Sequence, residues 1–329
     1  MRPTIRTLSL ISLLLPGIAF AQDSWNQEEW YLWADDGVRL YVTELGHAVA
    51  TGDTVIVLHG GWGAEHSYLL EAVQPLADRY HFVLYDQRGS LRSPAPDSTI
   101  TYERMVADLE ALREELGLDE VALLTHSMGT ALAYLYLAEH PDRVRGLVFT
   151  GPVPPIATPE DAAAVGADTS RVRTAREAWR AEAETHVVTE IEEEDLDRDP
   201  LSSKERTYKW RIGFTGFNAY HVERWRQMKG GMAFYNPSVV QALQANTSED
   251  WSNLLARHRA PLEAFGGPIR VVLGDFDFTD PGAFVWPHIV KRLLNGRVTI
   301  LEDAGHNAWL DQPETFVEAV DAALMDATQ

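Results

Sequence analysis

The chain has 329 residues, 45% hydrophobic and 23% charged, enough to bury a sizeable core in one large domain or two modest ones. It contains no cysteine, which excludes thiol catalysis and zinc–thiolate sites. A formal charge of −21 disfavours nucleic acid and anionic membranes, whose recognition needs clustered Lys and Arg.

The amino terminus reads differently from the rest. Arg2 and Arg6 precede an apolar run over residues 8–20 that closes on Ala19-Phe20-Ala21. A basic start, a short apolar stretch and an A-x-A site predict a secretory signal peptide over 1–21. A membrane anchor needs about 20 uninterrupted apolar residues, and Pro16 and Gly17 interrupt this run. Cleavage after Ala21 removes two arginines, so the charge moves from −21 to −23. With no cysteine to carry a lipid, the expected product is periplasmic or secreted, without stable membrane insertion.

Past that segment, strand-like and helix-like stretches alternate. Residues 30–33 and 38–44 predict a hairpin turning at Asp35-Asp36-Gly37. Thr54–Leu58 is a short apolar run, as expected for a strand buried on both faces. Leu69, Leu70, Val73 and Leu76 recur at helical spacing over 67–78. His81–Tyr85 predicts a strand, 102–116 a helix, 121–125 a strand, 128–140 a helix and Val144–Thr150 a strand. Alternation of this kind implies a parallel sheet with helices on both faces.

The alternation stops at Gly151-Pro152-Val153-Pro154-Pro155. From there to Pro268 the composition is helical and charged, and a strand pattern resumes at 269–273 and 298–301, with helices near 284–294 and 313–324. The expected organisation is one α/β core, 22–152 and 269–329, split by a helical cap insertion at 153–268. The run Glu192-Glu193-Glu194-Asp195 predicts a solvated cap surface rather than a calcium site.

Four segments carry chemistry, each just after a predicted strand. Thr125-His126-Ser127-Met128-Gly129 places a serine on a strand-to-helix turn, where small neighbours relieve crowding and the helix N-terminus favours negative charge. A serine there also serves as an ordinary helix N-cap. His59-Gly60-Gly61-Trp62-Gly63 lies where a second oxyanion donor belongs, so the donors are assigned to the N–H groups of Gly61 and Met128. Neither G-x-G-x-x-G nor a Walker lysine is present to argue for a phosphate loop. Ala304-Gly305-His306-Asn307 supplies a histidine base, and Gly274-Asp275-Phe276-Asp277 the acid between them in chain order. Asp277 is the preferred acid, with Asp275 and Asp280 as alternatives. His306 is then expected to deprotonate Ser127 and Asp277 to orient the imidazolium, giving an acyl-enzyme that water hydrolyses. No cofactor or metal is called for.

These positions resemble the α/β-hydrolase superfamily over nearly the whole mature chain outside the insertion. The resemblance implies a mostly parallel eight-stranded sheet with helices on both faces and a helical cap after strand 6. Two segments are similar to the proline iminopeptidase group. His59-Gly60-Gly61-Trp62-Gly63 resembles its H-G-G-P-G, with Trp62 in place of proline, and 86–93 resembles its D-Q-R-G-x-G-x-S, with Leu91 in place of glycine. The nucleophile segment departs from the group's G-G-S-W-G and is closer to that of many esterases. Members hold the substrate's free amine with cap carboxylates, and the resemblance points to Glu182 and Glu223 for this, against a solvated surface position as the other reading of both, with Trp62 a further substrate contact.

The implied activity is that of a serine hydrolase acting on a small peptide or ester. Release of N-terminal proline or small residues stands ahead of carboxylesterase activity, and a non-catalytic ligand-binding protein of the same fold comes third. A serine at 127 excludes epoxide hydrolases and haloalkane dehalogenases, which need aspartate there, whereas a cofactor-free perhydrolase keeps the same triad. Trp179, Tyr208, Trp210, Phe214, Phe217, Tyr220, Trp225, Phe234 and Tyr235 crowd the insertion, some for the cap's own core and others for an apolar pocket over Ser127. Asp86-Gln87-Arg88 is read as structural support beside the site.

Overall fold

The turn at Asp35-Asp36-Gly37 joins β1 (Gln27–Trp33) and β2 (Arg39–Leu45) in the expected antiparallel hairpin, with Trp33 opposite Arg39. The computed structural model describes residues 27–46, 54–156, 159–228, 235–247 and 251–329, so the expected signal segment lies outside the described residues. Six further strands follow: β3 (Thr54–Leu58), β4 (His81–Tyr85), β5 (Val121–His126), β6 (Val144–Thr150), β7 (Ile269–Gly274) and β8 (Gly296–Leu301). Together they form one eight-stranded sheet in the order β1-β2-β4-β3-β5-β6-β7-β8. The pairs β1–β2 and β2–β4 are antiparallel, and from β4 through β8 every pair is parallel.

The central strands are apolar throughout because both of their faces are covered, and side chains alternate between them. Val55 and Val57 pack with Leu69 of α1 (Ser67–Val73) and with Phe316, Val320 and Leu324, which lie in the C-terminal helix. Ile56 and Leu58 face the other way, onto Leu109 and Leu112 of α2 (Tyr102–Glu115) and Leu132 of α3 (Gly129–Glu139). The helix expected over 67–78 ends early. Pro75 lacks the N–H that would continue α1, and residues Gln74–Leu76 form a 3-10 turn instead.

Between β6 and β7 every described element is helical. α4 (Pro159–Ala164), α5 (Thr169–Glu193), α6 (Ser203–Asn218), α7 (Ser238–Asn246), α8 (Trp251–Arg257) and α9 (Arg259–Ala264) follow one another. α5 and α6 are capped by Asp168 and by a Ser202–Glu205 capping box. They share a small core of Leu196, Ile212, Val222 and Trp225, with Tyr208 packed against it. The acidic run 192–195 closes α5, where Glu194 pairs with Arg226. No helix among the described residues is long and apolar enough to cross a membrane. After β7 come α10 (Trp286–Val290), shorter than the expected 284–294, then α11 (Ala308–Asp311) and α12 (Pro313–Ala327).

The segment 86–93 is the main buried polar joint. Arg88, 1% exposed, donates from Nε and Nη2 to the two oxygens of Asp108 at 2.7 and 2.6 Å. Its Nη1 donates to Asp36 at 2.9 Å and to the Thr99 carbonyl at 2.8 Å, tying the hairpin turn to α2. Asp86, also buried, accepts from the His66 ring at 2.7 Å and from Arg92 Nε at 2.9 Å. Replacing Arg88 with leucine leaves Asp108 buried without its partner and is expected to cost about 3–5 kcal/mol. The drop in unfolding free energy in urea at neutral pH measures it, and a loss indistinguishable from zero would refute the joint.

Candidate active site

The parallel strands β3 to β8 deliver their carboxyl ends to one side of the sheet, and the four chemical segments follow the ends of β3, β5, β7 and β8. β5 ends at His126 and α3 begins at Gly129, so Ser127 must turn the chain within two residues. It does so at φ 53°, a left-handed conformation rare for a residue with a side chain. Such strain costs on the order of 1–3 kcal/mol and persists only where surrounding structure enforces it. Two glycines allow the crowding. A Cβ on Gly129 would stand 2.4 Å from the Leu58 carbonyl oxygen, and one on Gly60 would stand 2.6 Å from the Ser127 Cβ. Thr125, at the motif's first glycine position, is accommodated by polar contacts: its Oγ1 lies 3.0 Å from Thr130 Oγ1 and its carbonyl accepts from Thr150 Oγ1 at 2.8 Å.

Asp277 and His306 meet although 29 residues separate them. His306 Nδ1 lies 3.0 Å from each carboxylate oxygen of Asp277, and both residues are buried. Asp277 Oδ1 also accepts from the N–H and the hydroxyl of Thr279, each at 2.8 Å, which fixes the plane of the carboxylate. The two alternative acids are occupied elsewhere. Asp280 accepts from the N–H groups of Phe284, Val285 and Trp286, and burial raises its carboxyl to about 6 against those donors. Asp275 accepts from the Ala304 N–H at 3.4 Å, and burial raises its pKa as well.

The glycine loop after β3 is locked from behind. His59 Nδ1 lies 2.9 Å from the Gly60 carbonyl, and the Gln87 N–H donates to His59 Nε2 at 3.0 Å. The Gln87 side chain donates to the His59 carbonyl at 2.9 Å. Burial lowers the His59 pKa, which keeps the ring neutral as this pattern needs. So the two segments likened to proline iminopeptidases, 59–63 and 86–93, are one structural device. Met128 is the residue at the N-cap of α3, where a backbone N–H has no partner within the helix.

Ser127 and His306 open into one cavity of about 450 Å³. Gly60, Gly61 and Met128 line it beside the serine, together with Tyr68, His126, Asn218 and Asn307. Its walls are apolar: Val153, Trp179, Phe214, Phe217, Met228 and Phe278. The Phe278 ring lies 4.3 Å from that of His306 between centroids. No Asp or Glu is found among the described residues of the lining.

Of the residues expected to touch substrate, three lie away from the cavity. Trp62 is 5% exposed and packs in the core against Tyr102. Glu182 of α5 has its side chain half exposed and 4.0 Å from His186. Glu223 is exposed and lies 3.0 Å from the His221 ring. Among the insertion's aromatics, Trp179, Phe214 and Phe217 line the cavity, while Trp225 and Tyr208 belong to the insertion's core. Trp210 is half exposed and stacks on Phe214, and Phe234 lies outside the described residues. Sequence reading overlooked Tyr68, Phe278 and Asn307. The last two adjoin Asp277 and His306, a signal that was available, whereas Tyr68 stands in the first turn of a short helix with no motif around it.

The alpha/beta hydrolase fold family matches residues 53–313. Among curated proteins, the proline iminopeptidase of Heyndrickxia coagulans is 41% identical over 103 residues, which are 31% of this chain and 35% of that protein. The proline iminopeptidase of Xylella fastidiosa (strain 9a5c) is 35% identical over 127 residues, 38% of this chain and 39% of that protein. The matched stretch therefore spans little more than a third of these relatives' length. Among solved structures, an esterase from Exiguobacterium antarcticum superposes with a TM-score of 0.62 at 21% identity, covering 91% of this chain and 100% of that one. Proline iminopeptidase from Mycobacterium smegmatis gives 0.62 at 19% identity, covering 92% and 98%. At these identities the likeness is one of fold.

Proposed function

Since the chain belongs to the α/β-hydrolase family, whose members include the proline iminopeptidases it is similar to, we propose that it is a serine hydrolase acting on carboxylic esters with an apolar acyl group. Ser127 Oγ attacks the ester carbonyl carbon while His306 Nε2 takes its proton. Asp277 holds the Nδ1–H of His306 and balances the charge of the imidazolium. The oxyanion that forms is held by the N–H groups of Gly61 and Met128. His306 then protonates the departing alcohol, leaving an acyl group on Ser127. Water, deprotonated by the same histidine, attacks that acyl-enzyme and releases the acid.

The observation that carries the ester reading is the lining of the cavity over Ser127, mostly aromatic and aliphatic with no described carboxylate. An aminopeptidase must hold a substrate ammonium, and a buried cation without a counter-charge is strongly disfavoured. Glu182 and Glu223, the carboxylates expected for that task, are exposed and face histidines. The aminopeptidase reading is favoured by a different observation, the 35–41% identity to proline iminopeptidases.

One comparison separates the two. Purified protein is assayed on p-nitrophenyl acetate, butyrate and octanoate, and on prolyl and alanyl p-nitroanilides with free or blocked amines. The expected result is turnover of the butyrate and octanoate esters with little release from either anilide. Fast anilide release that vanishes on blocking the amine would overturn the ester reading in favour of the aminopeptidase.

A further inference from the structure

Behind the site runs a chain of hydrogen bonds that the proposed chemistry does not itself require. Tyr68 stands in the first turn of α1, and its hydroxyl oxygen accepts the Gly60 N–H at 2.7 Å. The same hydroxyl lies 2.8 Å from Nδ1 of His126, the last residue of β5. Nε2 of His126 lies 3.1 Å from the backbone carbonyl oxygen of His306. These links join the glycine loop after β3 to the histidine loop after β8.

Chemistry fixes the direction of every bond in this chain. A carbonyl oxygen only accepts, so His126 Nε2 must carry a proton. A neutral ring then has a lone pair on Nδ1, so the Tyr68 hydroxyl must donate to it, leaving its oxygen to accept from Gly60. Burial and the neighbouring His306 hold the His126 pKa well below the ordinary histidine value, with His59 adding to the effect. The ring is enclosed by Tyr68, by Trp309 at 5.0 Å and by His306 at 4.5 Å between centroids. Three bonds aligned head to tail polarise one another. With its own N–H engaged by Tyr68, Gly60 is not an oxyanion donor, which leaves that task to Gly61 next to it.

We propose that Tyr68 and His126 are positioning residues, which hold the oxyanion loop and the His306 loop in one register across the Ser127 turn. The inference rests on the serine-hydrolase reading. They touch neither the reacting carbonyl nor the serine proton; they act through Gly60 and through the main chain of His306. Preorganised donors matter where charge develops in the transition state rather than in ground-state binding. Loss of the chain is therefore felt in kcat and not in KM.

Tyr68→Phe deletes the hydroxyl and keeps the ring that walls the cavity. On p-nitrophenyl butyrate, kcat is expected to fall by roughly 10- to 100-fold with KM within about twofold, a loss below that of removing an oxyanion donor outright. Rates are normalised to the fraction of chains that a fluorophosphonate labels at Ser127, so misfolded protein does not count. A normalised kcat equal to wild type, or a loss carried by KM, would overturn the proposal. Nitrogen-15 spectra of histidine-labelled wild-type protein test the chain without any turnover. They should show His126 protonated at Nε2, bare at Nδ1 and not titrating between pH 6 and 8; the opposite tautomer or a titration also overturns it. Wild-type protein that neither labels nor turns over any ester would instead overturn the serine-hydrolase reading, and the positioning role with it.

Discussion

Ser127→Ala is expected to lower kcat on the best ester by roughly 10⁴- to 10⁶-fold, the scale on which a nucleophile contributes in such sites. Folding stability should hardly change. Ser127 turns the chain at φ 53°, and alanine bears the same left-handed strain as serine. The side chain is small and faces the cavity, so its oxygen leaves no void in the core. Ser127→Gly divides the two effects further. It should be equally inactive but melt higher, since glycine adopts positive φ without penalty. Calorimetry beside an ester assay reads both, and an alanine variant with wild-type turnover would remove Ser127 from the mechanism.

Asp277→Asn is expected to cost about 10³- to 10⁴-fold in kcat, the order found when a triad aspartate becomes an amide. Local geometry gives the reason. Oδ1 accepts both the N–H and the hydroxyl of Thr279, so an asparagine oxygen is held at that position. Its amide nitrogen then takes the Oδ2 position, 3.0 Å from His306 Nδ1, and donates to that nitrogen. Nδ1 becomes an acceptor, the proton moves to Nε2, and the ring can no longer take a proton from Ser127. Asp275→Asn should leave kcat near wild type, because that carboxylate holds the Ala304 N–H rather than the imidazole. The same assay checks both variants, and a larger loss for Asp275→Asn would transfer the role.

Much of the site was legible because parallel α/β architecture is a local code with a global consequence. Strands such as Thr54–Leu58 and Val121–His126 announce themselves as short apolar runs. Once such strands are known to lie parallel, whatever follows their carboxyl ends must gather at one edge. Ser127, His306 and the stretch carrying Asp275, Asp277 and Asp280 were reached that way, by chain order rather than by contact. The segment 86–93 was recognised as support, but not its grip on the glycine loop, since the Gln87–His59 bonds link residues 28 positions apart.

The amino-acid sequence by itself determined the layered α/β plan, the helical nature of the insertion and the four segments that meet at the candidate site. Each depends on periodicity, turn residues or order along the chain, which act over a few residues at a time. The tertiary structure alone decided which acid faces the histidine, because Asp275, Asp277 and Asp280 share one turn-rich stretch and only its path in space separates them. It alone sorted Trp179 and Phe214 into the cavity and Trp225 into the insertion's core, although all three are large aromatics. It alone turned Glu182 and Glu223 toward solvent and set Tyr68 against His126, 58 residues away. Burial and long-range pairing follow from how elements pack, and no local pattern records that packing.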